Sequence, residues 1–191
     1  MKKTLILGVL GLAVGVLSSR GQGSIQFNTY TANNSNGILS TFNGVPLDGT
    51  FTGELLYSLT PINDTAGAGP LSQGWTVGST ALFDQPGVIA GYIQGPNLVL
   101  PSYTSGLVYF EIIAFNGASY GAGTAYGHTA SFSMPLATGT VQAWVADGNP
   151  ANGGSGLISA LVLQPVPEPA TLALAGLGGL AALVAYRRKQ A

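Results

Sequence analysis

Ser119 stands in a segment whose spacing could support nucleophilic catalysis. Residues 117–121 read Gly-Ala-Ser-Tyr-Gly, which matches the G-x-S-x-G pattern of a nucleophile elbow. A serine nucleophile would need His128, the only histidine, as its base, with Asp84 or Asp147 to orient that base. The elbow also needs a helix directly after the serine, and the glycines that follow Ser119 are poor helix formers. We therefore expect a protein that is not an enzyme, with a hydrolase as the distant alternative.

Oxygen-bearing side chains offer two further candidates for chemistry. Asp147, Asn149 and Asn152 carry ligands of the kind that Ca²⁺ prefers, but their spacing does not match an EF-hand loop. Asp-Gly and Asn-Pro pairs are ordinary turn formers, so we expect a loop there, no metal site and no cofactor. Glu111 stands alone in an apolar run and could be a functional acid. Because no partner carboxylate is near it in sequence, we expect an edge or outward-facing side chain.

Aromatic residues in glycine-rich loops could bind sugars, because flat rings stack on them. Tyr103, Tyr120 and Tyr126 lie in such loops, and together they could form an exposed platform. His128 is expected at the start of the strand that follows, partly exposed. These tyrosines make a carbohydrate-binding module the main alternative to a structural protein.

The elements that must position these residues are short strands. Apolar and polar residues alternate over 51–60 and 129–134, and 107–115 is apolar on both faces apart from Glu111, which predicts a central strand. Turn pairs stand at Asn43-Gly44, Asp48-Gly49, Asn116-Gly117 and Asp147-Gly148. This pattern predicts an all-β fold, a single antiparallel β-sandwich of Ig-like or jelly-roll topology. Further strands are predicted at 24–30, 88–93, 97–100, 140–145 and 157–163.

Charge is distributed unevenly along the chain. All six Lys and Arg residues lie within residues 1–20 and 187–191, whereas six of the seven acids lie between residues 48 and 147. Without Lys or Arg the central region cannot attract phosphate groups electrostatically, which argues against nucleic acid partners. The chain has no cysteine, so thiol catalysis and cysteine-based zinc sites are excluded as well.

The C-terminus has the pattern of a targeting segment that inserts into a membrane. Pro167, Glu168 and Pro169 precede the uncharged stretch 170–186, and Arg187, Arg188 and Lys189 follow it. Seventeen residues of helix cover roughly 25 Å, which is at the short end of what spans a bilayer. The cations predict that the tail stays in the cytoplasm. A buried helix of a soluble domain is the alternative, but it would need more polar residues on its outer face.

The N-terminus has the pattern of a signal peptide. Lys2 and Lys3 precede the apolar stretch 4–17, and small residues follow. Cleavage between Gly21 and Gln22 is predicted, with a second candidate site after Gly23 and an uncleaved anchor as the alternative. The chain is thus divided into a signal peptide at 1–21, a cargo domain at 22–164 and a C-terminal signal at 165–191.

The ordered combination of Pro167-Glu168-Pro169, an apolar helix and Arg187-Arg188-Lys189 resembles the PEP-CTERM sorting signal of Gram-negative bacteria. The resemblance covers about one-eighth of the chain. It implies that an exosortase, an integral-membrane transpeptidase-like enzyme, handles the protein, in species that make extracellular polysaccharide. The same C-terminal domain occurs on some proteins labelled ice-binding, but threonines here form no regular array. The middle segment also looks, more loosely, like small all-β cargo found on such signals.

These observations together predict an exported protein that is anchored in the inner membrane at least transiently and then reaches the outer surface. Its cargo domain is expected to be structural or adhesive within the extracellular matrix. The predicted partners are the membrane, the exosortase-like enzyme and, in the alternative function, extracellular polysaccharide.

Overall fold

Twelve short strands lie in the part of the chain that the structure describes, and none of them is longer than nine residues. The computed structural model describes residues 22–32, 37–62, 70–84, 89–138 and 143–166, together with Leu177 and Tyr186. Two short 3-10 helices lie at Pro70–Gln73 and Pro150–Asn152. The strands are β1 (Gly23–Gln26), β2 (Thr41–Phe42), β3 (Val45–Pro46), β4 (Phe51–Ser58), β5 (Thr76–Leu82), β6 (Leu98–Leu100), β7 (Val108–Asn116), β8 (Ala125–His128), β9 (Phe132–Met134), β10 (Ala137–Thr138), β11 (Trp144–Val145) and β12 (Val162–Pro165).

The larger sheet is organised around β7. Its strand order is β3-β2-β12-β8-β7-β4-β5, and β9 pairs with β7 beyond the end of β8. β4 is antiparallel to β7 over eight residue pairs, from Phe51↔Asn116 to Ser58↔Tyr109. The central position predicted for the apolar run around Glu111 is therefore confirmed, since β7 is paired along both of its edges.

The smaller sheet has β1 at its centre, between β6 on one side and β10 with β11 on the other. Side chains from both sheets form one buried core, to which Ile25 and Phe27 contribute from the β1 side and Leu55, Phe110 and Ile112 from the larger sheet. Burial of such apolar side chains stabilises the fold by about 25 cal/mol per Å². Isolated bridges at Asn28↔Gln94 and Phe83↔Ile93 connect the sheets at one corner.

The larger sheet also buries side chains on its opposite face, which we call the outer face. A second cluster there consists of Leu56, Trp75, Ile113 and Phe115, and Tyr109, Tyr120, Tyr126 and Ile62 pack against it. Successive residues of a strand point to opposite faces, so β7 sends Phe110 and Ile112 to the core and Glu111 and Ile113 to the outer face. This double burial explains why β7 has an almost continuous apolar sequence.

A β-bulge separates β8 from β9. Between the pairs Ile113↔His128 and Phe110↔Phe132, β7 advances by three residues and its partner by four. Thr129 lies in this bulge and replaces part of the lost ladder, because its Oγ1 accepts a hydrogen bond from the Ile112 amide at 3.0 Å. The Thr129 amide donates to the Ile112 carbonyl at 2.8 Å. Bulges of this kind re-aim nearby side chains.

The predicted turns are confirmed where their chemistry is most specific. Asn43 and Gly44 have φ values of 51° and 77°, and they join β2 to β3 as a two-residue hairpin loop with positive φ at both positions. The turn after Asp48 is also present, since its carboxylate accepts from the Thr50 amide at 3.0 Å. Hydrogen bonds from Thr50 lower the pKa of Asp48 below its usual value.

The all-β prediction is confirmed, but several details of it are wrong. The sheets are not purely antiparallel, because β1 pairs with β11 and β12 pairs with β2 in parallel. The sequence pattern does not predict β2, β3, β5, β8 or β10, and in β5 and β8 glycine interrupts the alternation, at Gly78 and Gly127.

The strands predicted at 24–30, 97–100 and 157–163 are present with different ends. The strand predicted at 88–93 is wrong, because residues 89–93 form a turn and a single bridge at Ile93. Most of 140–145 lies outside the described residues, and its end forms β11.

Most of the two predicted targeting segments also lies outside the described residues. Of the stretch 170–186, the structure describes Leu177 and Tyr186, both helical and exposed. Across the described residues, no helix has the length and apolar character needed to cross a membrane.

Candidate functional site

A carboxylate and an imidazole meet on the outer face of the larger sheet. Nδ1 of His128, at the end of β8, lies 2.8 Å from Oε1 of Glu111 in the middle of β7. The same Nδ1 lies 3.0 Å from the carbonyl oxygen of Thr129. Because a carbonyl oxygen can only accept, Nδ1 carries a proton and donates it to Thr129, and the Glu111 carboxylate lies within ion-pair distance of the same nitrogen. The second ring nitrogen, Nε2, is then the one that gains or loses a proton.

Burial of the two partners is very unequal. Glu111 is 0% exposed, whereas the His128 side chain is 45% exposed. The prediction that His128 is partly exposed is therefore confirmed, although it ends β8 rather than starting the next strand. Glu111 faces away from the core, as one of the two expected positions has it, but it lies in the central strand and is buried, so an edge or exposed position is wrong. Glu111 is covered because β4 and the β8–β9 segment flank β7 and an apolar cluster lies over it.

His128 is the only side chain between residues 22 and 186 that can carry a positive charge, since that span contains no Lys or Arg. A buried carboxylate is costly unless it is paired with an opposite charge or well hydrogen-bonded. The contact therefore joins the one residue in the cargo region that can become cationic to the most deeply buried of the acids that the structure describes. Sequence reasoning missed this pair because the two residues are seventeen positions apart and only the β7–β8 hairpin brings them together.

Tyr120 lies close to the pair. Burial raises the pKa of Tyr120 well above its usual value, and the charge of Glu111 and the neighbouring Tyr126 raise it further. The rings of Tyr120 and Tyr126 have centroids 4.8 Å apart, and Tyr120 meets Phe115 edge-to-face at 6.2 Å. Two of the three tyrosines of the predicted platform are thus neighbours, half-buried rather than fully exposed.

The β7–β8 loop, residues 117–124, holds Tyr120 in place. The side-chain oxygen of Asn116 accepts hydrogen bonds from the amides of Thr124 and Ala125, both at 2.8 Å. Gly123 packs against the Asn116 backbone so closely that a Cβ atom would collide with it. The loop can therefore close only with glycine at position 123, because any larger residue would collide with the Asn116 backbone.

Trp75 adds a polar atom to the same face. Its side chain is 5% exposed, and its Nε1 has no hydrogen-bond partner among the described residues. Glu54, opposite Ile113 in the register, is a second acid on this face. Partial burial raises the pKa of Glu54, while a hydrogen bond from Thr80 opposes that shift.

Tyr103, the third tyrosine of the predicted platform, lies elsewhere. It is 9% exposed and belongs to the core between the sheets, so its place in an exposed platform is a wrong prediction. Its hydroxyl donates to the Gly106 carbonyl at 2.5 Å and accepts from the Leu136 amide at 3.1 Å. Gly23 packs against the ring without room for a Cβ. The loop turns inward because these bonds satisfy the hydroxyl within the protein.

Tyr103 instead borders a groove of about 400 Å³. The other lining residues are apolar or hydroxylated, and none is charged: Tyr57, Leu59, Leu100, Pro101, Ser102, Thr104, Ser105, Leu107 and Val108. Ser102, Thr104 and Ser105 are exposed. Volumes of this size are typical of small-molecule sites, in which a few polar groups set orientation within an apolar lining.

The remaining motifs behave as turns. Ser119 is exposed and no helix follows it, because its carbonyl accepts from the Ala122 amide in a tight turn. The Asp147 carboxylate accepts from the Asn149 amide at 2.9 Å, and the Asn149 side chain caps the 3-10 helix at Pro150–Asn152. Among the described residues there is no cluster of three or more metal-ligating side chains.

The predicted sorting and cleavage residues fall almost entirely outside the described part of the chain. These are Gly21, Pro167, Glu168, Pro169, Arg187, Arg188 and Lys189. Gln22 is described and exposed, immediately before β1. Pro165 ends β12, so the start of the C-terminal signal leads directly from the larger sheet.

Comparison with known proteins identifies the C-terminal segment. Residues 165–189 match the family model of the PEP-CTERM protein-sorting motif. No curated protein and no solved structure matches the chain.

Proposed function

We propose, from the PEP-CTERM sorting motif that the chain carries at residues 165–189, that this is an exported, surface-directed protein with a non-enzymatic cargo. Residues 1–21 act as a signal peptide, and the helix at 170–186 anchors the protein in the inner membrane until an exosortase-like enzyme processes it. The cargo, residues 22–164, is a β-sandwich with a structural or adhesive function in the extracellular matrix.

The sorting motif is the observation that carries this proposal. The segregation of charge supports it, because cations occur only in the two terminal segments where membrane topology is set. The absence of a metal-ligand cluster and of a helix after Ser119, within the described residues, gives an enzymatic alternative no support.

C-terminal mass spectrometry of the protein from fractionated cells tests the proposal. We expect the mature surface form to lack Arg187, Arg188 and Lys189, and we expect replacement of both Pro167 and Pro169 by Ala to leave the tail intact. Pro61→Ala, at an exposed position in the cargo, is the matched control and should be processed normally. A surface-exposed protein that retains its cationic tail would contradict the proposal.

A second candidate function, binding of uncharged polysaccharide, is favoured by the groove beside Tyr103. An aromatic ring, three exposed hydroxyl side chains and a lining without charge suit the mixed apolar and hydroxylated surface of a sugar ring. The acidic, cation-free cargo would repel an anionic polymer, so the ligand would be neutral.

Affinity electrophoresis of the full-length chain in gels containing a neutral or an anionic polysaccharide separates the two functions. Binding in the groove predicts retardation by the neutral polymer only. Ser102→Trp, which fills the groove, should abolish it, whereas Ser119→Trp on the opposite, outer face should not. If no polysaccharide retards the protein, the sugar-binding function is contradicted and the structural function remains. If Ser119→Trp but not Ser102→Trp abolishes retardation, the sugar site lies at Tyr120 and Tyr126 instead of in the groove.

A further inference from the structure

We propose that Glu111 and His128 form a pH-sensitive lock that fastens β8 and the 117–124 loop to the larger sheet. The lock is closed while His128 is an imidazolium opposite the Glu111 carboxylate, and it weakens when that imidazolium loses its proton. The lock lies within the cargo and works in the same way whether or not the chain is sorted to the surface and whether or not the groove binds sugar.

The position of the pair explains why its charge state matters for this part of the sheet. His128 is the last residue of β8, directly before the bulge at which the ladder with β7 shifts register. β8 makes three residue pairs with β7 and two with β12, so its backbone ladders are short on both edges. Tyr120 and Tyr126, from the loop and from β8, pack over the same cluster. A change in the charge of Glu111 therefore affects the packing of both the loop and β8.

Other titratable groups face the pair from the packed elements, and none of them changes charge near neutral pH in its ordinary range. Glu54 on β4 is an acid, and Tyr120, Tyr126 and Tyr109 are phenols. The chain contains no cysteine and a single histidine. His128 is therefore the side chain of this face whose ordinary titration range is nearest neutral pH, and Glu111, as the other member of the contact, titrates together with it.

The direction of the effect follows from the contact. An imidazolium beside a buried carboxylate keeps its proton to a higher pH than in the unfolded chain, where histidine titrates near about 6.5. Stability from the lock is thus fully present below that pH and is lost as pH rises through the higher, folded value. On the acid side it is lost again once the Glu111 carboxylate is protonated, so the lock is strongest in mildly acidic solution.

The first test is the thermal midpoint of the full-length chain, kept in solution with a nonionic detergent, at pH 6 and pH 9. We expect the midpoint of the wild-type chain to fall by at least about 3 °C at the higher pH. His128→Gln and Glu111→Gln should each remove most of this difference. Glu54→Gln, which neutralises the other acid of the same face, should retain it and is the matched control.

Hydrogen exchange locates the effect within the fold. We expect the protection factors of the amides in β8 and in residues 117–124 to be at least about tenfold lower at pH 9 than at pH 6. The protection factors of the β1 amides should stay the same at the two pH values. A uniform change across both sheets would contradict the lock, because it would show a global loss of stability rather than a local release.

NMR of the untagged wild-type chain keeps the proposal testable even if the variants do not fold. The single histidine gives one set of imidazole signals, and the pH dependence of their chemical shifts gives the midpoint of the His128 titration directly. A midpoint shifted upward from about 6.5 is expected. A midpoint at or below that value, or an unchanged pH effect in folded His128→Gln protein, would overturn the proposal.

Discussion

The two faces of β7 are buried to similar extents but are built from different chemistry. On the inner face Phe110 stacks on Phe132, with ring centroids 5.6 Å apart, within a core made mainly of aliphatic and aromatic side chains. On the outer face Glu111 is just as buried, yet it needs the half-exposed His128 and lies among tyrosines. The core on the inner face contains no acid, base or histidine among its described residues, whereas the outer face combines apolar packing with a carboxylate and an imidazole.

This difference shows how one strand can serve two purposes. Close apolar packing defines the inner face, where any loss of volume leaves a cavity. A polar pair defines the outer face, where stability depends on each partner having the other. Four changes test this contrast, and the expected effect decreases from the first change to the last.

Truncation of the inner face should cost most. Phe110→Ala removes a fully buried ring, and we expect the free energy of unfolding to fall by about 3–5 kcal/mol in a denaturant titration. Tyr109→Ala, at the adjacent and only partly buried position, should cost clearly less. Equal losses for the two variants would mean that the faces do not differ in packing.

Removal of one partner on the outer face should cost nearly as much, but the loss should be recoverable. His128→Leu leaves the buried Glu111 carboxylate without a countercharge, and we expect a loss of about 3–5 kcal/mol at pH 7. Combining it with Glu111→Leu should restore the free energy of unfolding to the wild-type value or above, because an apolar pair needs no compensation. A double variant as unstable as the single one would show that the pair is not the source of the cost.

Loss of the bulge hydrogen bond should have an intermediate effect. Thr129→Val keeps the shape of a side chain that is 4% exposed but leaves the Ile112 amide without its acceptor, at a cost of about 1–3 kcal/mol. Thr129→Ser retains the hydroxyl and serves as the control. Faster hydrogen exchange at Ile112 in the valine variant alone is the expected signature, and equal exchange in both variants would contradict it.

The phenol of Tyr120 should have the smallest effect at neutral pH. Because burial raises its pKa above the unfolded value of about 10, its contribution to stability is fully present below that pH and is lost as pH rises through the folded value. In an ultraviolet titration, Tyr120→Phe should remove the last tyrosine component to ionise, a component that the denatured wild-type chain should lack. An unchanged titration curve would contradict the raised pKa of Tyr120, which burial is expected to cause before the charge of Glu111 adds to it.

Prediction from the sequence succeeded where a few neighbouring residues decide the structure. The Asn43-Gly44 hairpin follows from the tolerance of both residues for positive φ. The central strand follows from an apolar run that leaves neither face suited to water. The parallel pairing of β12 with β2 could not be predicted, because it joins segments more than a hundred residues apart and no local pattern encodes it.

The candidate site was predicted only in part for the same reason. The sequence suggests His128 as a base for Ser119 and predicts an edge or outward-facing Glu111, but it does not predict that the two side chains are in contact. Their meeting depends on the register of β8 against β7, which the closed 117–124 loop and the bulge at Thr129 set together. A shift of one residue would send His128 to the opposite face of the sheet.

The sequence by itself determined the features that are read locally along the chain. These are the sorting motif at residues 165–189, the confinement of every Lys and Arg to the two ends, and the all-β character of the region between. Only the tertiary structure decided that Glu111 is buried against His128, that Tyr103 turns inward, and that Tyr120 and Tyr126 meet. The physical reason is that charge, hydropathy and turn preference belong to neighbouring residues, whereas burial and contact depend on strand pairing across the whole sheet.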